Sequence, residues 1–230
     1  IEADLNRRLQ VLSDAMPAMR TLLVLDGDGI IRAANREEVI GKNLSQRAYF
    51  SEPRRGRAAD TLYVSPPFRT VLGTFTINVS RMIEGSDGEF AGVISAALDP
   101  EYFAPLLESV RYASYMWTVI AHADGDVFMM LPQQSGVLGE NIAQPEIFLS
   151  RHLASGQSIS VHSGIAAITG EERVLVWNTV ERAGLNLDRP LLVAVSRGYD
   201  EIFTAWRNDM RIQSSLYGLL VLTFALGLHV

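Results

Sequence analysis

The strongest constraint on this chain is that its two halves carry the same ordered set of strand and turn signals. Leu22-Leu23-Val24-Leu25, Asp28-Gly29-Ile30 and Ile40-Gly41-Lys42-Asn43-Leu44 are echoed by Thr118-Val119-Ile120, Asp124-Gly125-Asp126-Val127 and Leu138-Gly139-Glu140-Asn141-Ile142. Asp28 lies 13 positions before Gly41 and Asp124 lies 15 before Gly139, a difference that one surface loop absorbs. The ends of the halves match too. Gly92-Val93-Ile94-Ser95-Ala96-Ala97-Leu98-Asp99 leads into Glu101-Tyr102-Phe103, as Leu191-Leu192-Val193-Ala194-Val195-Ser196-Arg197 leads into Asp200-Glu201-Ile202-Phe203. Two similar units follow, 21–110 and 111–199, each an antiparallel sheet with flanking helices, so the fold class is α+β.

Within each unit the local chemistry is plain. The apolar runs Thr21–Leu25 and Ile30–Ala34 bracket Asp26-Gly27-Asp28-Gly29, which is hairpin-turn chemistry. Phe75-Thr76-Ile77-Asn78-Val79-Ser80-Arg81 alternates as a strand and ends in Glu84-Gly85-Ser86-Asp87-Gly88; Val174-Leu175-Val176-Trp177-Asn178 is its counterpart. Ahead of the first unit, Leu5, Leu9, Leu12 and Met16 form the stripe of an amphipathic helix over 1–20 that Pro17 ends. Behind the second, 200–215 read as a helix with no Pro or Gly. It enters an uncharged run, Leu216 to Leu228, too short to span a bilayer alone but suited to the start of a span over 216–230.

Composition removes several function classes. With 20 basic against 26 acidic residues the net charge is −6, so no general basic field is present to hold a phosphate backbone, and nucleic acid is not expected as a partner. Zero cysteines exclude disulfides, a thiol nucleophile and Cys-ligated zinc. His122, His152, His162 and His229 have no metal-pair spacing, and the Asp26-Gly27-Asp28 turn has Ile30 and Ile31 where a calcium loop needs a ligand and a glycine. Neither metal nor cofactor is expected. No Ser-His-Asp order, phosphate loop or paired acids emerge, so no catalytic residue is assigned. Arg54-Arg55-Gly56-Arg57 reads as a solvated basic loop, and Lys42, the one lysine, reads as a consequence of composition.

Several motifs fall in a recognisable order: the leading helix, the Asp-Gly turn, Ile40-Gly41-Lys42-Asn43-Leu44-Ser45, Arg47-Ala48-Tyr49-Phe50, Tyr63-Val64-Ser65-Pro66-Pro67, Ser80-Arg81, and Asp87-Gly88-Glu89-Phe90-Ala91-Gly92-Val93. In that order the chain resembles, over about residues 1–215, the double Cache (PDC-type, tandem PAS-like) extracytoplasmic sensor domains of bacterial transmembrane receptors. The resemblance implies a non-enzymatic domain in the periplasm, held in the inner membrane by flanking helices. It implies a small-molecule site in the first, membrane-distal unit and a homodimer, in which the Leu5-Leu9-Leu12-Met16 stripe is expected to take part.

Arg47 matches the family's Arg-x-aromatic-aromatic motif, in which a guanidinium forks onto a carboxylate between the aromatic walls Tyr49 and Phe50. Tyr63, Ser65, Arg81 and Ser95 are further ligand candidates by motif position. Ala97 stands where the amino-acid-binding members place an acid for the ligand's ammonium; a small organic acid is therefore the expected ligand. Pro190 to Arg197 followed by Phe203, Trp206 and Arg207 resembles the ending seen ahead of diguanylate cyclase outputs. A histidine kinase or chemoreceptor output, or a ligand-free dimerisation module, is the alternative.

Overall fold

The computed structural model describes residues 2–70, 75–134, 136–144, 147–166, 168–181 and 184–227. Helix α1 (Glu2–Ala15) opens the chain. The first unit follows with β1 (Met19–Asp26), β2 (Ile31–Ala34), α2 (Ala48–Gly56), β3 (Thr61–Val64), β4 (Phe68–Arg69), β5 (Phe75–Glu84), β6 (Phe90–Leu98) and α3 (Pro100–Val110). The second contains β7 (Trp117–His122), β8 (Val127–Leu131), α4 (Phe148–Ser155), β9 (Ile159–Ile165), β10 (Glu172–Thr179), β11 (Asn186–Leu187) and β12 (Leu191–Gly198), and α5 (Tyr199–Gly227) ends the described chain. The two sheets run β2-β1-β6-β5-β3 and β8-β7-β12-β10-β9, the same path twice, with β4 beside β5 and β11 of the second unit added outside β3 of the first.

The repeated motif is a backbone device. In the first unit Gly41 N–H donates to Ile31 O, Ile31 N–H to Lys42 O and Leu44 N–H to Gly29 O; in the second Gly139, Val127 and Ile142 donate to Val127, Glu140 and Gly125 in the same pattern. Gly41 and Gly139 have φ of 81° and 84°, left-handed values that a side chain disfavours. Asn43 and Asn141 each receive an N–H two residues on and donate to an aspartate carbonyl of the hairpin. The Gly-x-Asn spacing therefore folds the loop back along its own hairpin in both units.

Burial follows strand parity. One face of the first sheet packs under α2 through Leu23, Leu25, Ile31, Tyr49, Phe50 and Val93. The other is shared. Leu5 and Leu9 of α1 cover Leu22, Ala33 and Ala96, while Val64 and Ile77 join Leu107 of α3 and Ile120, Phe128 and Met129 of the second unit in a common core. Leu9 is spent on its own sheet, so the apolar surface left free on α1 is Val11 and Leu12. Helix α5 continues unbroken past Ser215. Among the described residues no helix is long and apolar enough to cross a membrane; residues 228–230 of the expected span, with His229, lie outside the described residues.

Because an added Cβ at Gly41 meets no atom, Gly41→Ala is expected to cost only left-handed strain, about 1–2 kcal/mol. Gly29→Ala should cost more, since its Cβ would run into the backbone of Ser45. Urea denaturation of the two variants checks this order.

Candidate ligand-binding site

A cavity of about 220 Å³ opens between the α2 face of the first sheet and the loop that follows β2. Its floor is built by strand parity: Thr76 and Asn78 of β5, Ala97 of β6, and Thr21 and Leu23 of β1 point to one side, with Asn78 directly across from Ala97 and Ala97 across from Thr21. Arg47, Tyr49 and Phe68 form one wall, and Arg36, Glu38, Val39, Lys42 and Leu44 form the other.

Arg47 is the N-cap residue of α2. Its guanidinium lies 5.4 Å from the centre of the Phe68 ring, and Phe68 in turn packs on Tyr49 at 5.6 Å between ring centres. Cation, Phe68 and Tyr49 thus form one stack that holds Arg47 without using its hydrogen-bond donors. Burial pushes the Tyr49 phenol up to about 12, the Arg47 charge working against it, so the hydroxyl stays a neutral donor.

The lining carries four cations, Arg20, Arg36, Lys42 and Arg47, against one carboxylate, Glu38. Arg20 is committed to Asp99 at 2.8 Å, an ion pair that raises its pKa through the hydrogen bond to that carboxylate. Arg36, Lys42 and Arg47 have no ion pair among the described residues. Arg36 and Lys42 are exposed, as Glu38 is, so of these three cations Arg47 alone is half-buried at the cavity.

Arg47, Tyr49 and Ala97 of the sequence candidates come together on this cavity; the other five do not line it. Phe50, next to Tyr49 on a helix, turns away into the core and meets Phe90 edge-on. Tyr63 shares the cavity's face of the sheet but lies further along, under Gly56 of α2. Ser65 and Ser95 stand behind Asn78: Ser65 Oγ accepts the Asn78 N–H at 2.9 Å, and Ser95 Oγ accepts from Asn78 Nδ2 at 3.1 Å. Arg81 has the odd parity of β5, faces away, and donates from Nε to Ala59 O at 2.6 Å.

The sequence reading missed Asn78, Thr76, Phe68, Arg20, Arg36 and Lys42. For Asn78 and Thr76 a signal existed: Thr76, Asn78 and Ser80 put three polar groups on one face of a strand whose other face is Phe75, Ile77 and Val79. All three are buried, and Asn78 Oδ1 and Ser80 Oγ have no hydrogen-bond partner among the described residues. Lys42, read from composition alone, is a wall residue.

The second unit offers a cavity of only about 40 Å³ at its sheet, lined by Trp117, Met130, Phe148, Trp177 and other apolar groups. Its guanidinium, Arg173, lies over Trp117 and donates from each of its three nitrogens, to Ser196 Oγ, to Tyr115 O at 2.6 Å and to Glu171 at 2.6 Å. Beside it runs a chain, Thr179 Oγ1 to His152 to Ser160 Oγ to His162, at 2.9, 2.6 and 2.8 Å, buried at His152 and Ser160 and half-buried at its two ends.

No family model matches the chain, and no curated protein matches it. The fold defines a class: two Cache-like units in tandem, the architecture of extracellular and periplasmic sensor domains. Among solved structures it is similar to the extracellular domain of rpHK1S-Z16, described as a histidine kinase (TM-score 0.75, 26% identity, 90% of this chain and 81% of that one). It is also similar to the periplasmic sensory domain of the Campylobacter jejuni chemoreceptor Tlp1 (0.66, 15%, 87% and 80%). A third is the ligand-binding domain of the Pseudomonas aeruginosa amino-acid chemoreceptor PctC in complex with GABA (0.60, 17%, 86% and 81%). These are sensor and ligand-binding domains rather than catalytic ones.

Burial lowers the pKa of both His152 and His162; each also feels a neighbouring positive group, His162 for the first and Arg151 for the second. The folded state thus prefers them neutral. Their contribution is fully present above the unfolded value of about 6.5 and is lost as pH falls through the lower folded values. Urea melts at pH 7.5 and 5.5 should show less loss of stability for His152→Gln than for the unaltered chain.

Proposed function

We propose that this domain is the ligand-sensing part of a transmembrane receptor of the bacterial inner membrane, facing the periplasm, and that its first unit binds a small carboxylate. The observation that supports this most is Arg47: half-buried at the cavity wall, its guanidinium 5.4 Å from the centre of the Phe68 ring and without an ion pair among the described residues, with Ala97 rather than an acid on the floor. Arg47 grips the carboxylate with a bidentate pair, each bond worth about 1.5–3 kcal/mol in a partly desolvated site. Asn78 and Thr76 meet the ligand's polar remainder, and Tyr49 donates from the wall.

A second reading rests on Glu38. As the one carboxylate of the lining it can receive the ammonium of an amino acid, the ligand class of the GABA-bound chemoreceptor structure. Glu38 is exposed, however, and a hydrated carboxylate at the rim compensates a buried ammonium poorly. The organic acid is favoured.

The output is proposed to be a diguanylate cyclase, supported by the Pro190–Arg197 sequence, most of it in β12, and the Phe203, Trp206, Arg207 pattern on α5. The protein acts as a homodimer in which Val11 and Leu12 of α1 meet their symmetry mates. The apolar run from Leu216 is proposed to enter the membrane. A reporter fused within the 111–199 unit should read as periplasmic, and a cytoplasmic reading would end the receptor proposal.

Calorimetry with acetate, pyruvate, lactate and succinate, set against glycine, alanine and GABA, tests the ligand class. Organic acids should bind. Arg47→Lys should weaken them about tenfold, Arg47→Ala further, at an unchanged melting temperature. Ala97→Asp should abolish acid binding by placing a like charge on the floor. Binding of amino acids alone, or normal binding by Arg47→Ala, would overturn the assignment.

A further inference from the structure

The outer edge of β3 is not open to solvent. Residues 186–189 of the second unit run beside it as a strap: Asn186 and Leu187 pair in parallel with Thr61 and Leu62, Asn186 Nδ2 donates to Thr61 Oγ1 at 2.9 Å, and Asp188 N–H donates to Leu62 O at 3.2 Å. At the end of the strand both polar groups of Val64 are taken by second-unit side chains. Its N–H donates to Asp188 Oδ1 at 2.8 Å, and its carbonyl receives His122 Nε2 at 3.1 Å.

The chemistry of that grip is determined by its partners. A carbonyl only accepts, so His122 carries its proton on Nε2; Nδ1 then accepts from the Asp124 N–H at 3.2 Å. His122 is completely buried. Burial raises the Asp188 pKa, against the pull of the Val64 and Arg189 N–H groups that it accepts. Arg189 reaches Asp124 at 3.3 Å, closing a ring of second-unit groups around one first-unit peptide.

Val64 is also where the cavity's framework begins. Ser65 exchanges two hydrogen bonds with Asn78 of the cavity floor, its N–H donating to Asn78 O at 2.8 Å and its Oγ accepting the Asn78 N–H. Pro66 and Pro67 then lead to Phe68, the ring that carries Arg47 and touches Tyr49. Two prolines fix their own φ and hold the residues before them extended, so this connector is stiff.

We propose that Asp188 and His122 are positioning residues for the ligand cavity: gripping Val64 from the second unit, they set through Val64–Phe68 where Phe68 and Arg47 stand. Cavity occupancy and the seating of the 186–189 strap are then two ends of one equilibrium, and each biases the other by the same factor. The part concerning occupancy rests on the reading of the cavity as a ligand site; the mechanical link does not.

Hydrogen exchange on the 230-residue chain separates the two. In Asp188→Ala, exchange should rise about tenfold at Ser65, Phe68 and the first-turn amides Phe50 and Ser51 of α2. Asp188→Asn, whose amide oxygen still accepts the Val64 N–H, should stay close to the unaltered chain. His122→Gln against His122→Leu repeats the comparison from the carbonyl side; should His122→Leu fail to fold, the Asp188 pair decides. A rise confined to 186–189 and β3, or Asp188→Asn as affected as Asp188→Ala, overturns the proposal. In the second arm, acetate, pyruvate, lactate and succinate are titrated into the same proteins. The affinity of those that bind should change at least about threefold in Asp188→Ala and hold in Asp188→Asn. Unchanged affinity in Asp188→Ala overturns the coupling. If none of the four binds the unaltered chain, the small-carboxylate reading fails while the exchange result still decides the link.

Discussion

Strand β5 has to bury both of its faces, and the two faces ask for different surroundings. Its odd positions, Phe75, Ile77 and Val79, are apolar and contribute to the core shared with the second unit. Its even positions, Thr76, Asn78 and Ser80, are polar and equally buried under α2. A buried polar face costs stability unless its groups are paired, about 1–3 kcal/mol for each group left without a partner. Thr76 donates to Leu98 O, and Asn78 is held by Ser65 and Ser95, yet Asn78 Oδ1 and Ser80 Oγ remain unpaired. An arrangement selected for stability alone would put aliphatic groups here, as the opposite face does. Thr76 and Asn78 of this polar face form part of the cavity floor, and the apolar reverse of the strand fastens that floor to the second unit.

The architecture was legible because it is coded locally and twice. Gly41 with Asn43 and Gly139 with Asn141 sit where the backbone needs a left-handed residue and a side chain that satisfies the hairpin, so the motif survives in both halves while the surrounding apolar residues vary. Strand parity was equally available. Arg81 shares the parity of Ile77 and Val79, and that alone separates it from Asn78. The motif order led to Arg47, Tyr49 and Ala97 because those positions lie at the start of a helix and in the middle of a strand, where chain direction fixes side-chain direction.

What could not be read is what depends on assembly. Arg20, Arg36, Lys42 and Arg47 come from a strand, a loop and a helix cap, and only the return of the 36–47 segment across the sheet turns them into one positive surface inside an acidic chain. The motif pairs two aromatics, but consecutive helix residues diverge by about 100°; both are buried in the core under α2, and of the two Tyr49 also lines the cavity while Phe50 turns to Phe90. Strand β11 is two residues long, with no periodicity to detect, and its partner is a strand of the other unit.

The second unit differs from the first in what it does with its arginine. Arg47 leaves its donors free beside an open cavity, whereas Arg173 spends its own on Ser196, Tyr115 and Glu171 and closes the corresponding region to about 40 Å³. The second unit's β12 has Leu191 and Val193 in the core shared with β5, and α5 begins at the very next residue after the strand. The path from the cavity to α5 therefore contains no flexible linker: β5 carries the cavity floor on one face and the shared core on the other, that core includes β12, and β12 continues directly into the helix. A change of cavity state that moves β5 or the Val64 end of β3 must either strain the shared core or move β12 with it, and packed cores switch between arrangements more readily than they deform.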